Sequence, residues 1–502
     1  MTSTELQEQR DAPVATAVAR PRVSMNVATT IAAQLLTWAM SFAVVLYLPA
    51  YLGPGGLGKL SLAGAFAAVL TALVPLGTST VLVKEVSRRH DCALPLLAAS
   101  LTARLPLSFL ATAAAYGVAR LMHLDHVSTV LVLVCSGGAA FALINDAVIS
   151  TLQGLERLPR QNAVAVVEKL FWALLTIGAV AARHPLWQIA MVPWISSTVA
   201  VIGNLTALPR DRSWKLPTLG ETISVASMGL PFLGWSLCVA LYGQSDPMVI
   251  RAITGRDLDI GWYGVTTKLV GTTLFLPAAL TTALLPRLSR LHIENKAEFE
   301  RLARKALSMG MLLGVPIAIA LGVMPGRVLH MLPYGAKFDA AIDVLRIGGP
   351  GLLLWYLGIL LGGFVMARDG QNRMLRAAGA AAIVGIPLCA LLSKMTFAAE
   401  GNAAVGAIAA DCLCELFLVI CYVRMLPRGI VDIRFAGFVA RCAAASIPAI
   451  ACLSIGMAHI GPWSIVPSAV VYVVCCLVLR CIEPEDLALL RSLASRRSNE
   501  GS

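Results

Sequence analysis

At 502 residues, with 58% hydrophobic and only 14% charged side chains, the chain is too apolar for a set of soluble domains, which carry roughly 25% charge. A mean hydropathy of +0.77, with aliphatic and small residues far outnumbering aromatics, points to packed transmembrane helices and away from a β-barrel. The formal net charge of +12 would suggest nucleic acid as the partner of a soluble protein, but here most cations lie in the connections between apolar runs, which excludes that reading.

Residues 1–22 are polar and are expected to be a disordered cytoplasmic tail. The first apolar run is too long for the core of a cleavable signal and reads as a span. A membrane-crossing helix needs about 20 apolar residues. About fourteen runs qualify: 24–49, 58–82, 95–122, 127–151, 163–182, 186–207, 223–245, 262–285, 306–326, 342–366, 374–393, 402–423, 436–458 and 461–479. Very short connections make 163–182/186–207 and 436–458/461–479 helical hairpins.

The charges test this count. With the amino-terminal tail and every second connection taken as cytoplasmic, those segments hold 27 Lys and Arg against 7 on the other side. An alternation sustained along the whole chain fits the positive-inside rule and puts both termini in the cytoplasm. The connection 287–305 mixes basic and apolar positions and reads either as an interfacial helix touching anionic headgroups or as a solvated connector.

The chain also repeats itself. Residues 51–89 and 253–291 each leave a long helix, turn on glycine, form one apolar helix and exit through a Ser-Arg pair, Ser87-Arg88 and Ser289-Arg290. Six spans per half is an even number, so the halves run parallel, related by an axis along the membrane normal. The expected fold is therefore all-α and polytopic, with two parallel six-helix bundles plus two carboxy-terminal helices. Its segments are the tail 1–22, a first bundle 23–207, a cytoplasmic linker 208–221, a second bundle 222–425, two added spans within 426–482 and a cytoplasmic tail 483–502.

Motifs for direct chemistry are missing. No phosphate-binding loop, dinucleotide fingerprint, nucleophile elbow or His-rich metal set occurs. Asp257 and Asp259 form a D-x-D of the kind that binds metal in nucleotide-sugar transferases, but they lie on the side expected outside, where a solvated turn is the simpler reading. The twelve cysteines fall almost entirely in apolar runs without a C-x-x-C and read as small buried hydrophobes. No metal, cofactor or enzyme activity is expected. A carrier is, driven by an ion gradient or running downhill.

Ionisable groups at membrane depth are costly and tend to mark a substrate or ion path. The candidates are Arg104, Asp146, Glu168 and Lys169 in the first half, with the polar Asn26 and Gln34. In the second half they are Asp246, Lys268, Asp343, Arg346, Asp411, Glu415 and Arg441. Arg104 stands about nine residues into its helix, roughly 14 Å deep at 1.5 Å per residue, and calls for a cavity or a partner. Asp246 and Lys268, on consecutive helices, are expected partners. Asp411 and Glu415 share a helical face, where two carboxylates repel unless one holds a proton.

Four stretches carry a resemblance: YLGPGGLGKLSLAGAF at 51–66; LQGLERLPRQNAVAVVEKL at 152–170, with Gln153, Gly154, Arg157, Asn162 and Glu168; Asp246 followed by Gly261, Tyr263 and Lys268; and LLPRLSRL at 284–291. In these the sequence resembles the polysaccharide-transporter branch of the multidrug/oligosaccharidyl-lipid/polysaccharide exporter superfamily. The resemblance implies a V-shaped pair of bundles around a cavity open alternately to each side of a bacterial inner membrane. It also implies an undecaprenyl-pyrophosphate-linked oligosaccharide as cargo, membrane lipids as surroundings, and a polysaccharide polymerase and export machinery as partners. Lipid II flippases in this superfamily place an Arg-Asp pair in the first helix; here that helix has Asn26 and Gln34, which turns the expectation away from lipid II.

Substrate contacts are then expected from Asn26, Gln34, Arg104, Asp246, Arg251 and Lys268, with proton or sodium coupling through Asp146, Asp246, Asp411 or Glu415. The rival readings are an ion-coupled multidrug or cation antiporter of the same fold and, from another class, a membrane polysaccharide polymerase or ligase.

Overall fold

The computed structural model describes residues 20–209 and 216–481, all-helical with no strand among them. The first helix, α1 (Arg20–Leu73), is broken at Gly53, whose φ of 65° and ψ of 177° belong to a region essentially closed to other residues. The chain reverses there. Tyr51 bonds the carbonyl of His184 at one end of the molecule, whereas Trp38 stacks edge-on against Phe275, well inside a later span. The arms 20–52 and 54–73 are therefore two passes, which the glycine lets follow each other without a loop.

The second pass continues through a turn at 74–77 into α2 (Thr78–Arg88). Then come α3 (Ala93–Leu121), α4 (His126–Gly154), α5 (Leu158–Ala181) and α6 (Leu186–Leu205), completing a first bundle of six passes. The second opens with α7 (Leu219–Gln244), bent by 55° between Leu230 and Phe232, and started by a capping box in which Thr218 and Glu221 satisfy each other's backbone N–H. It goes on through the short α8 (Asp246–Thr254), α9 (Asp257–Thr273) and α10 (Phe275–Glu294), which together are one pass, and α11 (Lys296–Val323). The short α12 (Pro325–Met331), α13 (Ala341–Met366), α14 (Gln371–Glu400) and α15 (Ala403–Met425) complete it. A terminal hairpin, α16 (Ile433–Ile460) and α17 (Ile465–Val478), packs on α11.

Eleven helices among the described residues are long and apolar enough to span a bilayer, twelve with the bent α7. Dividing α1 at Gly53 and adding the shorter apolar α17 recovers the fourteen expected runs. The molecule is a multi-pass membrane protein.

Two boundaries differ from expectation. The connection 287–305 holds no separate interfacial helix: α10 and α11 extend through it and meet at Asn295, whose side chain caps α11 by accepting from Glu298 N. Pairing Arg287 with Glu298 at 3.0 Å and burying Leu288, Leu291 and Phe299 makes that extension self-supporting. The second pass, expected at 58–82, starts immediately after Gly53 and ends at Arg88. Of the expected linker and tails, residues 1–19, 210–215 and 482–502 lie outside the described residues.

Alternate connections gather at opposite ends, called outer and inner here after the charge bias. At the outer end the bundles touch along the second arm of α1 and α9. A Cβ on Gly261 would collide with the backbone of Pro54, and one on Gly58 with the Asp257 carbonyl, while Gly264 faces Ser61. Only hydrogen fits at that seam.

Candidate functional site

The second bundle encloses an acidic cluster. Ser245 ends α7, and Pro247 at the second position of α8 starts the next helix immediately. That places Asp246 in its first turn, where the helix dipole favours a negative charge. Asp246 is 4% exposed and Tyr263, on α9, 6%. The Tyr263 hydroxyl lies 2.9 Å from Asp246 Oδ2 and 2.8 Å from Asp411 Oδ2. One turn along α15, Glu415 Oε2 accepts from the Tyr242 hydroxyl at 2.7 Å.

A phenol has one proton to give. Tyr263 can donate to one carboxylate, but its contact with the other needs a hydrogen on that carboxyl or a small cation between them. A hollow of about 10 Å³, bordered by Tyr242, Ser245, Asp246 and Asp411, is about the space of a single water. The cluster leaves room for little more than one water-sized species.

In the first bundle, Arg104 is 2% exposed. Its guanidinium donates to the Thr78 hydroxyl at 3.3 and 3.0 Å, Ser79 Oγ at 2.9 Å, the Leu143 carbonyl at 2.8 Å and Asp146 Oδ2 at 2.8 Å. Ser79 adds a second donor to Asp146 at 2.5 Å. The break at 74–77 makes this possible, because it sets Thr78 and Ser79 at the start of α2, deep in the bundle. Arg104 thus has partners within its own bundle and ties α2, α3 and α4 together. Asp146, with its side chain 43% exposed, keeps part of its carboxylate open.

Lys268 sits on α9 four residues after Gly264 and seven after Gly261, on the helical face that meets the first bundle. It is partly buried. Among the described residues it makes no hydrogen bond or ion pair. The expected Asp246–Lys268 pair is not formed: five residues of α9 separate Lys268 from Tyr263, so the two point to different sides of the helix, and Asp246 belongs to Tyr263. Asp411 and Glu415, one turn apart on α15, meet different tyrosines, Tyr263 and Tyr242.

Arg251 lies at the outer end, bonding the Gly255 carbonyl at 2.6 Å and Asp257 Oδ1 at 2.9 Å. Beside it Lys59 Nζ reaches Asp125 at 2.5 Å and Asp257 at 3.7 Å, so one lysine of the first bundle holds an acid from each. Partial burial of Asp125 opposes its charge, but Lys59 and Ser128 outweigh this and keep its carboxyl below the ordinary range. Asp259 accepts from Ala403 N at 3.1 Å and pairs with Arg256 at 3.5 Å. Both acids of the D-x-D are engaged, and not with each other. The side chains of Asn26 and Gln34 lie outside the described residues.

The sequence alone assigns no role to Tyr242 and leaves Tyr263 a motif residue only. The available signal was a tyrosine inside a span, whose hydroxyl needs a partner.

Comparison with known proteins agrees with this architecture. The family described as "Polysaccharide biosynthesis protein" matches residues 23–292. No curated protein matches the chain. Among solved structures, the lipid II flippase MurJ in an inward closed conformation is similar at TM-score 0.71 and 11% identity, over 92% of this chain and 99% of that one. An inward-facing multidrug resistance MATE family transporter of the MOP superfamily gives 0.60 and 14%, over 80% and 94%. The MATE multidrug transporter DinF-BH gives 0.54 and 16%, over 83% and 98%. The fold is one shared by a lipid flippase and by drug transporters.

Proposed function

The chain belongs to the polysaccharide biosynthesis protein family, and from that premise we propose that it is a flippase for an undecaprenyl-pyrophosphate-linked oligosaccharide repeat unit of an exopolysaccharide, capsule or O-antigen. It works in the bacterial inner membrane with both termini cytoplasmic. The sugar and pyrophosphate cross between the bundles while the polyprenyl tail stays in lipid, and one bundle rocks against the other to alternate access.

The observation that carries this reading is Lys268. A cation on the inter-bundle face, without a partner among the described residues, is costly unless an anion arrives. A pyrophosphate is such an anion and accepts charge-assisted hydrogen bonds. Arg104 supports the fold of the first bundle in this reading, and Arg251 the closed outer end.

A second reading, an ion-coupled cation antiporter, draws on the Asp246–Tyr263–Asp411 contact, which suits a proton or sodium ion. The two readings meet if the cluster couples an ion to lipid transport. The test is the sidedness of lipid-linked oligosaccharide in cells depleted of the protein. Intermediates trapped on the cytoplasmic leaflet, with polymer lost, support the flippase. Normal sidedness together with sensitivity to cationic dyes would replace it with the antiporter.

A further inference from the structure

A groove of about 580 Å³ opens on the flank of the second bundle, at the outer end, where the close of α11, α12, the start of α13 and the middle of α16 meet. Its wall is apolar, and Val323 and Ile447, 68% and 67% exposed, turn toward the bilayer. Gly326 and Ala451 keep it hollow. Two arginines stand in it. Arg327 Nη1 bonds only a backbone carbonyl, that of Ser454, at 3.1 Å, and has no carboxylate partner among the described residues. Arg346 pairs with Asp343 at 2.9 Å, with both side chains more than half exposed.

We infer that this groove is a binding site for an anionic glycerophospholipid of the bilayer, with the phosphate held by Arg327 and Arg346 and an acyl chain lying along Val323 and Ile447. Three observations carry the assignment. Arg327 has no acid beside it and the neighbouring Arg346–Asp343 pair is neutral, so the groove carries a net positive charge, unlike Lys59, Arg251 and Arg256 elsewhere at the outer end, which are each matched to an acid. A guanidinium at the polar boundary above an apolar wall is complementary to a lipid phosphate above its chain. The groove also stands apart from the seam. None of its lining residues belongs to α1, α2 or α9, so a lipid held there is a resident that braces α16 against the bundle, not cargo in transit.

The test uses the full-length protein in detergent, with bound lipid counted by native mass spectrometry. It is titrated with phosphatidylglycerol, with phosphatidylcholine of the same chains, and with undecaprenyl phosphate. Wild type should retain one phosphatidylglycerol in preference to phosphatidylcholine. The double substitution Arg327→Gln/Arg346→Gln should weaken phosphatidylglycerol about a hundredfold, tenfold for each charge-assisted hydrogen bond lost, and abolish its preference over phosphatidylcholine. Ala451→Phe, which fills the hollow without changing charge, should also exclude the lipid. Equal retention of the two phospholipids by wild type, or wild-type affinity in both variants, would overturn the site. Preferential displacement by undecaprenyl phosphate would overturn the phospholipid and assign the groove to the cargo carrier.

Discussion

Tyr263→Phe tests the acidic cluster most directly, because it removes one oxygen and leaves the ring volume unchanged. Both contacts of the hydroxyl, at 2.9 and 2.8 Å, are to carboxylates, and its surroundings are dry, with Asp246 and Tyr263 at 4% and 6% exposure. Hydrogen bonds to charged groups contribute about 1.5–3 kcal/mol each, and a buried polar atom left alone costs a similar amount. Loss of about 3 kcal/mol is expected from these contributions. Tyr356→Phe is the control. Tyr356 is fully buried, but its hydroxyl meets only the Thr273 carbonyl, at 2.9 Å, a neutral bond of about 1 kcal/mol. Thermal unfolding of the two purified variants in one detergent should rank Tyr263→Phe well below Tyr356→Phe. Adding Asp411→Asn should restore part of the loss, since the amide offers Asp246 a hydrogen in place of the shared one. Equal effects of the two tyrosine variants would refute the shared-hydrogen reading.

Lys268→Ala should leave the purified protein's unfolding temperature near wild type and abolish polymer production in cells, while Lys268→Arg restores most of it; retention of polymer by the alanine variant would remove Lys268 from the cargo path. Gly261→Ala drives a methyl into the Pro54 backbone and should part the bundles at the outer end, read as faster labelling of a reporter cysteine placed at Ser61. Asp125, held below the ordinary carboxylate range near 4 chiefly by Lys59 against its burial, should contribute stability that is present above that range and fades as pH falls through its lowered value. Asp125→Asn should therefore flatten the acid side of the unfolding-temperature profile and leave unchanged whatever slope remains above about pH 6.

The spans were legible because each is a long apolar run and the basic connections alternate. Local breaks were less so. Gly53 signalled a turn, but a pattern of apolar residues does not say that two passes will follow each other with no loop between them. At 287–305 the alternation of basic and apolar residues fits a helix lying on a membrane as well as two helices standing out of it, and what decides is burial of Phe299 and Leu288 by residues far along the chain. At the site, membrane depth singled out Arg104, Asp246, Lys268 and Asp411. It did not give their partners, since Arg104 meets Asp146 42 residues away and Tyr263 meets Asp411 148 residues away. Whether a buried charge is matched or waiting is a property of packing between helices, as the separate tyrosine contacts of Asp411 and Glu415 illustrate.

In the proposed transport reading, α9 links the acidic cluster to Lys268. Tyr263 and Lys268 are five residues apart, which on an α-helix is about 140° around and roughly 7.5 Å along. One face of α9 thus closes the acidic cluster, and another presents a cation to the first bundle along the glycine seam. No contact between an ion and the cargo is needed. If an ion or proton leaves Asp246 and Asp411, the two carboxylates repel, Tyr263 can satisfy only one of them, and a shift of α9 relieves the strain while moving Lys268 with it. The expected signature is in Lys268→Cys, made in a cysteine-free background. Its reaction rate with a water-soluble thiol reagent, corrected for the reagent's own pH dependence, should change with pH. In the same protein carrying Asp411→Asn, which keeps a hydrogen on that side permanently, the rate should become independent of pH. A corrected rate that is flat in both proteins would show that α9 does not connect the two sites, and one that changes equally in both would place the sensor away from Asp411.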